Sequence, residues 1–281
     1  LPALDHIYLT GGDGGSSHRR PDLMFEETAQ FAQKAREINP DLGIWVSNQG
    51  FGPELNNWFF DYLQREQPDW VTFWGAGSGM NSTAMTNAAR IRFPRERMMY
   101  VTFGAAEEDM YPAGEAAVGT YAVANALPGD DYPLVAAIKE QVYGAGKGNL
   151  NDESRVGSVY WNRGLGAAVM WIEAMKNAQE MHNKVGKAVT GAEFRDGYEA
   201  LNMSESRLGE IGINGMVAPF SISCANHEGA GKFAVMQWDG DKFNQVTGWE
   251  APLDPAYVRS LVENSAAKFA SENNVTPKVC P

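Results

Sequence analysis

The sequence predicts an α/β fold, an open parallel sheet with helical crossovers. Two observations lead there. Short apolar runs alternate with helical repeats from residue 6 to residue 103, as in a parallel sheet whose strands are joined by helices. Two of the later runs end in loops of small residues, Gly75-Ala76-Gly77-Ser78-Gly79 and Gly104-Ala105-Ala106, the second followed by Glu107, Glu108 and Asp109. In open α/β sheets ligands bind in the crevice beyond the carboxyl ends of the strands. Residues 70–114 are therefore the stretch around which the chain is organised.

The elements follow in order. Residues 6–10 read as a first strand, ending in a glycine-rich loop that holds Asp13. Residues 22–38 place Met24, Thr28, Phe31, Ala35 and Ile38 at helical steps, and Asn39-Pro40-Asp41 stops that helix. A second strand, 43–47, precedes a helix with Leu55, Trp58, Phe59, Tyr62 and Leu63 on one face, ended near Pro68. Val71-Thr72-Phe73-Trp74 is a third strand, and a short helix after it carries Met85, Ala88, Ala89 and Ile91. A fourth strand runs from 98 to 103. Residues 115–132 read as an Ala- and Gly-rich crossing closed by Pro128-Gly129.

Helices are then expected over 132–143, about 161–181 and 190–201, the second with Leu165, Ala168, Val169, Ile172 and Met175 facing inward. Residues 203–215 read mostly as turn. Residues 233–237 and 242–247 form a hairpin about Asp239-Gly240. A last helix, 255–270, has Val258, Leu261, Val262 and Phe269 on its inner side.

Composition narrows the function. At 281 residues and 44% hydrophobic, the chain can bury a large core as one domain or two lobes. A net charge of −12 argues against a nucleic-acid partner, because phosphate binding needs clustered Lys and Arg. No apolar run reaches the ~18 residues of a membrane helix. Leu1 leads almost directly into a strand, so the chain reads as a processed or truncated product. His6, His18, His182 and His227 have no metal-ligand spacing, and the glycine loops lack a P-loop ending. No metal and no cofactor are expected.

Asp13 lies past a strand end, where barrel enzymes place catalytic groups. A glycosidase needs a second carboxylate about 5 Å away for retention, and Glu107, Glu108 and Asp109 are the best placed to supply it. The plainer reading of Asp13 is a turn residue among glycines. Ser78 does not sit in a Gly-x-Ser-x-Gly elbow. Its hydroxyl and the backbone N–H groups of its loop suit an anion or an amide.

FWGAGSGMNSTAMTNAARIRFPRER and AAEEDMYPAGEAAVGTYA, with YPLVAAIKEQVYGAGKG, VYWNRGLGAAVMWIEAMKNAQ, SISCANHEGAG and the last 23 or so residues, carry a resemblance covering roughly residues 70–281. The chain there resembles the type 1 periplasmic solute-binding proteins of ABC importers, in the branched-chain amino acid and urea/amide branch. Residues 1–70 look more like a segment of a TIM-barrel glycoside hydrolase. The resemblance implies type 1 binding-protein lobes, the first incomplete. The expected domains are an α/β lobe over 1–117, a mostly helical segment of the other lobe over 118–215, and a hairpin with a C-terminal helix returning across the hinge over 216–281.

The resemblance also assigns roles. Glu107 matches an acid that meets the ligand's ammonium group, and Trp74, Ser78 and Asn81 match the facing loop. The plainer reading of Glu107 is a solvated acidic turn. The family's aromatic contact from an earlier loop has no counterpart in residues 14–20. Cys224 and Cys280 are two buried thiols on composition alone, and exported relatives imply a disulfide. The implied function is a non-enzymatic solute-binding protein, periplasmic or extracellular. It would close on an amino acid or amide and deliver it to the membrane subunits of an ABC importer. The alternatives are a glycosidase-like barrel using Asp13 with Glu107, Glu108 or Asp109, and a chimera or fragment that folds and binds nothing.

Overall fold

The structure, a computed structural model, describes residues 6–11, 32–41, 43–47, 61, 63–74, 78–101 and 105–280. The chain forms two compact units, Leu1–Ala124 with Val235–Thr247, and Asn125–Ala234 with Gly248–Pro281.

The first unit is built on one sheet. Its strands are β1 (His6–Gly11), β2 (Gly43–Ser47), β3 (Trp70–Trp74), β4 (Met98–Val101) and β5 (Tyr121–Ala124). After β6 (Asn202–Met203) and β7 (Phe220–Ser221) of the second unit, the chain returns to this sheet with β8 (Ala234–Trp238) and β9 (Phe243–Gln245). Among the described residues the order is β2-β1-β3-β4-β5-β8-β9, with β2 and β9 at the two edges. The pairs from β2 through β5 are parallel, and β8 with β9 is antiparallel. The sheet is thus open, as expected, and the stretch resembling a barrel segment supplies two of its strands.

Alternation places the core. Val71, Phe73, Met98 and Tyr100 are buried on one face, every second residue of a pleated strand. The helix Ser78–Arg90 buries Ala84, Met85 and Ala88 in its turn. Each large apolar side chain so buried contributes roughly 1.5–3 kcal/mol. Arg92 ends that helix in the left-handed region (φ 59°), which lets the Phe93 N–H return to the carbonyl of Ala88 at 2.9 Å. Phe93 is then buried and Pro94 blocks continuation. Trp238 stacks edge-on with Tyr111 and Phe243 and seals the β8 side. At the hairpin, Asp239 accepts the N–H groups of Asp241 and Lys242, both at 2.9 Å, which holds its carboxyl down at about 2.

The second unit is mostly helical. Its helices are Pro133–Ile138, Val159–Met181, Gly191–Glu199, Glu205–Ile211 and Pro255–Glu272. Ser158, Ser204 and Asp254 cap three of them, and Thr190 with Glu193 forms a reciprocal capping box on a fourth. Two short strands, β6 (Asn202–Met203) and β7 (Phe220–Ser221), pair antiparallel. Val135, Val156, Leu201, Leu208, Ile213 and Met216 form the core between them. Asn162, fully buried, donates to the carbonyls of Leu127 (2.9 Å), Gly129 (3.0 Å) and Gly157 (3.2 Å), fastening the chain where it enters this unit.

Five expectations are corrected. The crossing at 115–132 contains β5, a strand whose small residues Ala122 and Ala124 hid it among other alanines. The turn at 203–215 holds the helix Glu205–Ile211, closed by Gly212 at φ 89°. The acids at 107–109 lie on a short helix, Glu107–Met110, not in a loop. The long helix packs through Gly166, Val169, Ala174 and Ala178, while Ile172 and Met175 are exposed, because close helix contact selects small side chains. The final helix buries no residue, and Val258, Val262 and Phe269 are exposed. The fourth strand ends at Val101, and residues 102–104 lie outside the described residues.

Candidate functional site

The strand order reverses at β1, whose neighbours on its two sides are β2 and β3. At such a reversal an open α/β sheet has its ligand crevice, beyond the carboxyl ends of the strands. The elements that follow β3 and β4 meet beside this point. β3 runs to Trp74, and the helix Ser78–Arg90 begins four residues later. β4 runs to Val101, and the short helix Glu107–Met110 follows it.

These two helices are joined by a buried hydrogen bond. The side-chain amide of Asn81 donates to Asp109 Oδ1 at 2.8 Å, and both residues are 0% exposed. Glu107 is 7% exposed, which excludes a solvated turn. Glu108 is half-buried. Beneath them Tyr100 is fully buried, and its phenol is pushed well above 10, first by burial and then by the charge of Asp109. Thr120 bonds the carbonyl of Ala117 at 2.7 Å and closes the floor beside Met110. Thr83 and Thr86 return their hydroxyls to the carbonyls of Gly79 (2.6 Å) and Ser82 (2.8 Å), so neither faces outward as a donor.

The expected site residues fall as follows. Asn81 and the acids are brought together. Trp74 and Ser78 are placed by their backbones at the end of β3 and the start of its helix. Asp13 lies outside the described residues, and so does any pairing of it with Glu107, Glu108 or Asp109. His18 lies outside them as well. His182 sits 3.3 Å from Asp196, and His227 sits 3.6 Å from Glu199. No group of three or more potential metal ligands occurs among the described residues. Tyr100 is not among the expected site residues, although the alternation Met98-Met99-Tyr100-Val101 puts it on the buried face with Met98.

Cys224 and Cys280 are joined by a disulfide, their Cα atoms 5.5 Å apart and 56 residues apart in sequence. The bonded tail is fastened again by Lys278 to Glu199 at 3.1 Å. On the other side, Arg259 bonds Glu228 (3.0 Å) and the carbonyl of Ala225 (2.8 Å). The disulfide implied by the family resemblance is present.

No protein-family profile matches the chain, and no curated protein sequence does. Solved structures match well. An ABC transporter permease from the Pseudomonas fluorescens group is 30% identical, over 99% of this chain and 64% of that one, with a TM-score of 0.83. A branched chain amino acid ABC transporter from Thermus thermophilus with bound valine is 19% identical, over 91% and 63%, with a TM-score of 0.69. A leucine binding protein from Thermotoga maritima is 13% identical, over 90% and 62%, with a TM-score of 0.60. The fold is that of the type 1 periplasmic binding proteins. The chain spans less than two thirds of the length of each of these structures. Its structural neighbours are named for transport and binding, not for an enzyme. Among the described residues no helix is long and apolar enough to cross a membrane.

Proposed function

We propose that this chain is the solute-binding component, or a large part of one, of an ABC importer for a small amino acid or amide. The ligand lies at the carboxyl ends of β3 and β4, between residues 74–81 and Glu107. The observation that carries this reading is the burial of Glu107 on the helix that follows β4, next to the helix that follows β3. A carboxylate held there meets an ammonium or amide N–H by a charge-assisted hydrogen bond. Trp74 and Ser78 sit at the facing end of β3 and supply further contacts. The valine and leucine named for two structural relatives support the ligand class.

The chain passes between its two units three times, at 124–125, 234–235 and 247–248. Those passes are the hinge about which the units close on the ligand. The disulfide supports service in an oxidising compartment, periplasmic or extracellular. The loaded protein hands its ligand to the importer's membrane subunits. Titration calorimetry against a panel of amino acids and short amides, valine and leucine first, tests the reading. No heat of binding with any of them would sink it.

A further inference from the structure

Asn81 and Asp109 stand 28 residues apart in sequence, on the two helices that flank the crevice, and bond to each other in full burial. A carboxylate accepts only, so Asp109 fixes which end of the Asn81 amide faces it. That choice leaves Asn81 Oδ1 fully buried with no hydrogen-bond partner among the described residues. The Tyr100 hydroxyl, which feels the Asp109 charge, is buried without one as well. Two apolar side chains of similar volume would fill this place without leaving such atoms behind, so stability alone does not account for the arrangement.

We infer that Asn81 and Asp109 form a positioning pair that sets the short helix carrying Glu107 against the helix that begins at Ser78. Neither residue has to touch the ligand. The bond passes across the floor of the crevice and holds the two loop ends in one register, so Glu107 is presented at a fixed height above β4. Asn81, expected from the family resemblance to contact the ligand, acts here through Asp109. The pair deepens the ligand-site reading and rests on it only for its effect on affinity.

The test is hydrogen exchange on the ligand-free protein, followed by mass spectrometry of peptides covering 78–83, 105–110 and, as a remote control, 191–199. Asn81→Leu removes the donor. Amides at 105–110 should then exchange at least tenfold faster, with 191–199 unchanged. Asn81→Ser, too short to reach Asp109, should give the same local pattern in a milder form should the leucine variant fail to fold. Asp109→Asn keeps an acceptor for Asn81 and should stay within about twofold of the parent. The exchanged pair, Asn81→Asp with Asp109→Asn, rebuilds the bond in reverse and should restore protection. Unchanged exchange at 105–110 in the leucine and serine variants, or no recovery in the exchanged pair, would overturn the assignment. A parent protein that binds none of the panel would remove the ligand reading and leave the exchange result to decide the pair.

Discussion

Gly197 lies so close to Ala178 that a methyl group on it would overlap the Ala178 amide nitrogen and the Ala174 carbonyl oxygen. Two helices, Val159–Met181 and Gly191–Glu199, meet there backbone to backbone. Helix propensity alone favours Gly197→Ala by up to about 1 kcal/mol. Overpacking against a backbone that cannot swing aside costs about 1–3 kcal/mol. The second term is larger, so Gly197→Ala should lower the urea midpoint. A raised midpoint would show that the helices part without penalty.

Glu107→Gln keeps the shape of the side chain and removes its charge. Affinity for the bound amino acid should fall by about 1.5–3 kcal/mol, the range for a hydrogen bond to a charged group. The thermal midpoint should move little by comparison. Calorimetry on both proteins checks it, and equal affinity would place Glu107 outside the site.

Breaking the disulfide with Cys224→Ser and Cys280→Ser together should cost about 4 kcal/mol in the chain-entropy view, given the 56-residue separation. Chemical denaturation of the oxidised parent and the double variant gives the difference. A loss under 1 kcal/mol would mean that the ion pair of Lys278 with Glu199 and the surrounding contacts already hold the tail.

Glu193 gives a pH dependence with a defined sign. Its hydrogen bonds to Lys184 and to Thr190 hold its carboxyl at about 2 in the folded chain, below the usual 4.5. A depressed carboxylate stabilises the fold above its unfolded value and loses that contribution as pH falls through the folded value. The contribution is complete above pH 4.5 and fades between there and about 2. Melting temperature measured from pH 6 to pH 2 should fall less steeply in Glu193→Gln than in the parent. Parallel curves would show that the capping box holds without the charge.

The strands from β1 to β4 were legible because each is a compact apolar run followed by small residues. β5 was not, since Tyr121-Ala122-Val123-Ala124 lies among further alanines and gains its strand character only from neighbours on both sides. The helix Glu205–Ile211 carried a readable signal in Ser204 before it and Gly212 after it, obscured by Gly209 within. The inward face of Val159–Met181 is not legible from its large apolar residues, because Gly166, Ala174 and Ala178 are the ones buried. At the site, the family resemblance pointed to Glu107 and Asn81. The bond from Asn81 to Asp109 joins distant parts of the sequence, and no local pattern foretells which amide will face which acid. The burial of Asp109 follows from that bond, which is why three successive acids looked alike in the sequence.

The return of β8 to the first sheet has a consequence for synthesis. Gln237 reaches back 118 residues to bond the carbonyl of Gly119 at 3.0 Å, and Trp238 exchanges backbone bonds with Gly119 and Thr120. When β5 leaves the ribosome, its neighbour does not yet exist. At about 5–20 residues per second, the intervening segment takes roughly 6–23 s to emerge. Through that interval the nascent sheet ends in a bare edge, with unpaired N–H and C=O groups that any extended segment can join. Whatever shields that edge in the cell has to act before the hairpin arrives to cover it.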